Sequence, residues 1–461
     1  MARIESDSIG NVEIPNEALW GAQTQRSLKN FAISNDYVPI EIIHALSKVK
    51  IAAAIVNNRL GKLNDQRKNL IIEAGTKILE GEYDDQFPLK VWQTGSGTHT
   101  NMNINEVISN ISSIASGEAL GSHIPVHPND HVNCSQSTND TFPTAIHIAS
   151  AEILNKKLLP ELKQLIQSIA KKSNEWIDVV KLGRTHLQDA VPMTYGQEAS
   201  AWKYQLSIAH KRLVNVLEEL YEIPIGGTAI GTAVNTPKNF DNEMSKEISE
   251  MTNLPFSTAT NKFALMGSHD GLVSTMAAIK LLAVSLFKIV NDIRLLACGP
   301  RAGFSELLLP ENEPGSSMMP GKINPSQCEA MAMVCAHVMG LGHAVDIAGS
   351  GGHLQMNVYK PLIGFNIINS INILHDACKS CRILMIEGIQ INHKKLDKYL
   401  EQSLMTVTAL NPVIGYDKAT EIAKYAYKKN ITLREASNEL GHLSNAEFNK
   451  IIDPRKMAHP H

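Results

Sequence analysis

Four irregular, polar segments carry the side chains best suited to chemistry. The densest is Gly315-Ser316-Ser317-Met318-Met319-Pro320-Gly321-Lys322-Ile323-Asn324-Pro325-Ser326-Gln327-Cys328-Glu329. Two glycines and two prolines frame a loop that bears hydroxyls, an ammonium and an amide. Lys322 offers a fixed positive charge to a carboxylate. Asn324 is placed to cap the following helix, with Pro325 at its first position and Gln327 completing a capping box. Glu329 falls one turn into that helix, where it can orient a histidine. A second segment, Gly183-Arg184-Thr185-His186-Leu187-Gln188, holds a histidine, whose pKa near neutrality suits a general acid or base. A solvated loop histidine is the plainer alternative.

The other two segments precede helices. Thr94-Gly95-Ser96-Gly97-Thr98-His99-Thr100-Asn101 has glycines that let backbone N–H groups approach an anion at a helix start. No lysine follows in the phosphate-loop pattern, so a small carboxylate suits it better than a phosphate. Ser135-Gln136-Ser137-Thr138-Asn139-Asp140 can cap a helix or bind a carboxylate through neutral donors. By themselves both segments are equally compatible with simple helix entry.

The elements that must position these segments are almost all helical. Aromatics make up 5% of the chain and alternating β-branched runs are nearly absent. A short hairpin is expected over Arg3 to Pro15, around Gly10-Asn11. Shorter helices are expected over Ile40 to Leu60, Asn64 to Glu80 and Asn101 to Leu120. Five long ones follow, over about Thr144 to Asn174, Thr194 to Glu222, Ser268 to Cys298, Pro325 to Gly349 and Val358 to Glu387, the fourth with a bend at Gly340-Leu341-Gly342. Five long helices in succession imply a bundle. The Ser268 to Cys298 helix is apolar on more than one stripe, which calls for neighbours all round and so for packing against further copies. After Ile391 the helices turn short and charged, over His393 to Glu401, Tyr416 to Lys429 and Leu433 to Leu440. The expected domains are therefore 1–138, a long-helix bundle over 139–391, and a small helical domain over 392–461.

Composition narrows the function. A formal charge of −3 over 461 residues, with no run of five like charges, argues against nucleic acid as a partner. Lys280 and Lys288 interrupt the most apolar stretch, which argues against a membrane span. The N-terminus has no apolar leader, so a cytoplasmic location is expected. Six cysteines fit a reducing compartment. Cys378 and Cys381, preceded by His375, lack a fourth ligand at recognisable spacing, so buried thiols one helical turn apart are expected, not a metal site.

The segment Gly315 to Pro325 matches the GSSxMPxKxNP signature, and the chain resembles the fumarase/aspartase superfamily over nearly its whole length, from Trp20-Gly21-Ala22-Gln23-Thr24-Gln25-Arg26-Ser27 onward. The resemblance is closest to the class II fumarate hydratase family, through Gly321, Gln327-Cys328-Glu329, His127-Pro128-Asn129-Asp130, Ala409-Leu410-Asn411 and Gly415-Tyr416-Asp417-Lys418-Ala419. It implies an all-α, L-aspartase/fumarase-like fold whose five-helix bundles form a twenty-helix core in a homotetramer, with active sites shared between subunits. It implies reversible hydration of fumarate to L-malate, without metal or cofactor. Carried onto this chain, Ser316 would remove the C3 proton of malate, and His186 paired with Glu329 would handle the C2 hydroxyl. Ser96, Gly97, Thr98, Ser137, Thr138, Asn139, Thr185, Ser317, Lys322, Ile323 and Asn324 would bind the dicarboxylate. His127, Pro128, Asn129 and Asp130 would form an accessory dicarboxylate site. Thr138 stands where a second serine is common in the family, and His131 where an acidic residue is usual. An ammonia lyase of the same superfamily is the nearest alternative, and a non-enzymatic relative is disfavoured because the site residues occur together.

Overall fold

Apolar residues at three- and four-residue spacing leave few segments free to pair as strands, and the fold is all-α with four small two-stranded sheets. The computed structural model describes residues 2–459. The five long helical stretches occur in the expected order. The first runs as Thr138–Ile153, a π-helical turn Leu154–Leu158, and Leu159–Glu175. It begins earlier than the sequence predicts. Ser137 starts it with a capping box, and Pro143 is accommodated early in the helix. The others are Tyr195–Asn215 followed by Leu217–Tyr221, Asp270–Leu296, Ser326–Ser350, and Lys360–Cys381 continued by Arg382–Ile386.

Two expectations are corrected. Ser326–Ser350 runs without a break through Gly340-Leu341-Gly342. A Cβ at Gly342 would lie 3.0 Å from Lys280 Cδ, and one at Gly349 would lie 2.4 Å from Val273 Cγ2. Small residues there admit the neighbouring helix; they do not bend their own. The N-terminal hairpin pairs Ala2–Asp7 with Gly10–Pro15, so its turn is Ser8-Ile9. Asp7 fixes it there, its Oδ1 accepting from the N–H of Ile9 at 2.8 Å and of Gly10 at 3.3 Å.

The chain divides into two compact units. One comprises Met1–Pro160, Lys211–Ala283 and Ala336–His375; the other comprises Glu161–His210, Val284–Cys335 and Asp376–His461. In the second, Leu410, Ala419, Ile422, Ala426, Leu433, Ala436 and Phe448 form a separate apolar cluster near the C-terminus. Short helices surround it, and capping boxes at Thr432/Glu435 and Ser444/Glu447 start two of them.

Helix Asp270–Leu296 buries Leu272, Met276, Ile279, Ala283, Leu286, Val290 and Ile293. Its other side exposes Leu281, Val284, Phe287 and Leu295, each between 38% and 48% in the single chain. This helix and Ser326–Ser350 are long and apolar enough to cross a membrane by length and composition alone. Both lysines of the first are ion-paired, however: Lys280 Nζ is 2.7 Å from Asp346 Oδ2, and Lys288 pairs with Asp292. With one face packed against the protein, Asp270–Leu296 reads as a core helix that keeps an uncovered apolar stripe.

Candidate active site

In the first unit, glycine permits a backbone path that a side chain would block. A Cβ at Gly95 would lie 1.6 Å from the Val358 carbonyl oxygen. Gly97, at φ 83, is the N-cap of helix Thr98–Ala115, and a Cβ there would lie 2.4 Å from Phe142 Cδ1. That helix therefore begins three residues before the Asn101 expected from the sequence. The Ser96 and Thr98 hydroxyls lie 2.7 Å apart.

The second helix start is adjacent, because Asn101 Nδ2 donates to Thr138 Oγ1 at 3.0 Å. Two helix N-termini with hydroxyl-bearing first turns thus meet, an arrangement that favours an anion. Asp140, fully buried, holds the second start in place. Its Oδ1 accepts from Ser137 N at 3.0 Å, and its Oδ2 accepts from Gly226 N and Thr228 N, both at 2.9 Å. Burial pushes its carboxyl up to about 6, against the pull of those donors. Asn139 Nδ2 donates to Ala229 O at 2.8 Å, which ties the same loop to the site. Below both starts lies Lys50, buried and donating to Asn101, Asn133 and Gln136. Burial pushes its ammonium down to about 7, with the charge of Asp140 opposing. Asn101 and Asp140 fall inside the two polar segments singled out in the sequence, where neither was given a role, and Lys50 was missed. A lysine on an otherwise apolar helix face was the one available signal for it.

The second unit holds the acid–base candidates. Val180–Thr185 and Gln188–Thr194 form an antiparallel hairpin where the sequence suggested an irregular loop. His186 and Leu187 are its two turn residues, at φ 56 and 61. Both lie in the left-handed region, as the twist of a two-residue hairpin requires, although neither is glycine or asparagine. Strain of this kind persists where the surroundings over-determine it. Here the base of the hairpin is clamped. Buried Glu306 lies 2.6 Å from Arg184 Nη2 and 3.5 Å from Lys181 Nζ, and its Oε2 accepts from Tyr195 OH at 2.8 Å. Arg184 also sits over the Phe304 ring at 4.3 Å. Thr185 and His186 are exposed at the tip.

The signature loop closes on itself. A Cβ at Gly315 would lie 2.0 Å from the Lys322 carbonyl oxygen, and Asn324 Nδ2 donates to Gly315 O at 2.5 Å. Asn324 therefore does not cap the helix as the sequence suggested. The helix starts at Ser326, and Gln327 accepts from Ser380 Oγ at 2.9 Å instead of completing a capping box. The helix begins one residue too late for Asn324 to precede it directly, and its NH2 holds the loop shut instead. Ser316 Oγ accepts from the N–H groups of Met318 at 3.2 Å and Met319 at 3.0 Å. Hydrogen bonds to an oxygen favour its deprotonated form. Ser317, Lys322, Ile323 and Glu329 are exposed. Among the described residues, no hydrogen bond or ion pair joins His186 to Glu329 within the chain.

Two further sets are placed. His127 caps the turn Pro128–Val132, its Nδ1 accepting from Asn129 N at 3.2 Å and Asp130 N at 3.1 Å. His131 Nδ1 accepts from His127 N at 2.8 Å, so this side chain stabilises the turn. Cys378 and Cys381 are buried free thiols in helix Lys360–Cys381, and burial pushes both well above the usual thiol range. Such thiols are inert packing groups.

A helical fold carrying this serine loop and two converging helix starts defines a lyase. The lyase family model matches residues 10–340, and the model for the fumarase C C-terminus matches residues 407–459. The chain is 62% identical to a fumarate hydratase class II of Prochlorococcus marinus, over 99% of this chain and 98% of that one. It is 50% identical to a fumarate hydratase class II of Pseudomonas aeruginosa, over 99% and 98%. The crystal structure of the recombinant class II fumarase from Schistosoma mansoni superposes with a TM-score of 0.97 at 40% identity, covering 100% of both chains. The chain belongs to the class II fumarate hydratase family.

Proposed function

We propose that this chain catalyses the reversible hydration of fumarate to L-malate, as a cytoplasmic enzyme of the tricarboxylic acid cycle. The carrying observation is Ser316 Oγ, which receives two backbone N–H groups, at 3.2 and 3.0 Å. A neutral serine is a poor base; an alkoxide held by two donors is a workable one. Ser316 takes the C3 proton of malate and the electron pair moves into the adjacent carboxylate, giving an aci-carboxylate. The C2–O bond then breaks, the oxygen leaves as water with a proton from His186, and fumarate remains. Hydration is the reverse. Each preorganised donor to the developing oxyanion is worth ~3 kcal/mol. Ser96, Gly97, Thr98, Ser137, Thr138, Asn139, Thr185, Ser317, Lys322 and Asn324, drawn from more than one copy, bind the two carboxylates. Ile323 lines the site.

His186 pairs with Glu329 of another copy, in a homotetramer whose long-helix bundles form a twenty-helix core with shared active sites. The uncovered Leu281, Val284, Phe287 and Leu295 stripe supports this assembly. We assign three domains, 1–138, 139–391 and 392–461; the separate C-terminal cluster supports the last. His127, Pro128, Asn129 and Asp130 form an accessory dicarboxylate site through the outer face of their turn. The test follows fumarate absorbance on addition of L-malate to purified protein. Absorbance should rise, and Ser316→Ala and His186→Asn should each abolish most of the rise. A rise with aspartate and none with malate would replace the hydratase reading by an ammonia lyase.

A further inference from the structure

Lys50 plays no part in the reaction scheme, yet its surroundings control a group that does. It lies inside helix Ile40–Arg59 and is 0% exposed. Its Nζ donates to Asn101 Oδ1 at 2.7 Å, Gln136 Oε1 at 2.9 Å and Asn133 Oδ1 at 3.0 Å. An ammonium has three donors and no acceptor, so with Lys50 protonated each amide turns its oxygen toward it. Asn101 is then left with only its NH2 facing outward. That group donates to Thr138 Oγ1 at 3.0 Å and to Asn133 Oδ1 at 3.1 Å. Thr138 Oγ1 is thereby an acceptor toward the protein interior, and its single proton is directed elsewhere. Among the described residues, nothing in the chain accepts that proton.

We infer that Lys50 is a positioning residue that sets hydrogen-bond polarity at the substrate site. Acting through Asn101, it makes Thr138 a donor toward the bound carboxylate. A carboxylate has only acceptors, so a threonine of the opposite polarity would repel it. Gln136 extends the control. With Oε1 on Lys50, its Nε2 donates to Val132 O at 3.0 Å and Cys134 O at 3.1 Å, which fixes the segment leading into Ser137. The inference rests on the dicarboxylate reading of the site.

The experiment is a double-mutant cycle on fumarate KM, with kcat and Tm measured alongside. Lys50→Met keeps the length and removes all three donors. Thr138→Val removes the hydroxyl. Losing one hydrogen bond to a charged ligand costs about tenfold in affinity. Each single variant should raise KM about tenfold with kcat changed far less, and the double variant should rise no further than either single. A purely structural lysine would give multiplied effects, about a hundredfold in the double variant, and that result would overturn the inference. Should Lys50→Met fail to fold, Asn101→Asp supplies the test. It keeps Lys50 paired but presents an oxygen to Thr138, so the hydroxyl turns inward, and it also loses the donor to Asn133 Oδ1. KM about tenfold higher with kcat changed far less supports the inference; unchanged KM sinks it. If the wild-type protein does not turn over fumarate, the proposed reaction fails, and the same cycle run on succinate binding still decides the polarity question.

Discussion

Replacing Asp140 by asparagine preserves shape while turning one carboxylate oxygen into an NH2. The buried side chain now receives Ser137 N and Thr141 Oγ1 on Oδ1, and Gly226 N and Thr228 N on Oδ2. Asparagine can serve one of these sides. With its oxygen toward Gly226 and Thr228, the NH2 faces Ser137 N and the capping box is lost. With the amide flipped, two backbone N–H groups at 2.9 Å meet another donor. An orphaned buried donor costs about 1–3 kcal/mol, so Asp140→Asn should lose about 2–5 kcal/mol. Urea unfolding at pH 8, where a carboxyl held up to about 6 is ionised, measures this. Both orientations also loosen either the Ser137 helix start or the loop that anchors Asn139, so KM for fumarate should rise together with the loss of stability. A stability change under about 1 kcal/mol with unchanged KM would refute the claim that Asp140 joins these two segments.

Three other outcomes follow from the same structure. Gly97→Ala should cost about 2–4 kcal/mol, from a left-handed φ of 83 and a Cβ 2.4 Å from the buried Phe142 ring, and should raise KM; chemical unfolding and steady-state kinetics would show it. His147 is fully buried, and burial pushes it from 6.5 down to about 4. The unfolded chain therefore binds a proton in that window that the folded one does not, so stability present above pH 6.5 is lost as pH falls toward 4, by about 3 kcal/mol. His147→Gln should flatten that part of the pH profile in unfolding experiments, and an unaltered profile would count against it. Val284→Lys on the open apolar stripe should shift the sedimentation pattern toward smaller species and reduce turnover, while leaving helix content unchanged by circular dichroism.

The long helices were legible because periodic apolar residues over twenty or more positions outweigh local propensity. The expected start of the first missed Thr138 because Pro143 resembles a helix opener, whereas the Ser137 cap comes earlier. The hairpin around His186 was hidden because its turn residues, His and Leu, carry none of the asparagine or glycine that marks a left-handed turn. Asn324 was misread because capping and loop closure call for the same residue type, and only the approach of Gly315 O decides between them. The hydroxyl and amide residues of the site were visible as types in their segments. Lys50 and Glu306 were not, because a buried charge is defined by partners far away in sequence; Asp140 was visible beside Ser137, but its bonds to Gly226 and Thr228 were not.

The hairpin that presents His186 is tight at its tip, and its register already shifts by one residue between Leu182 and Arg184. Two residues bridge Thr185 and Gln188, the shortest common link between antiparallel strands. One residue inserted between Thr185 and Gln188 would force a longer turn or a second bulge, and either would move His186 from its place. Chain length is thus as tightly constrained here as residue identity: this tip can vary by substitution, but tags, insertions and deletions belong elsewhere in the molecule.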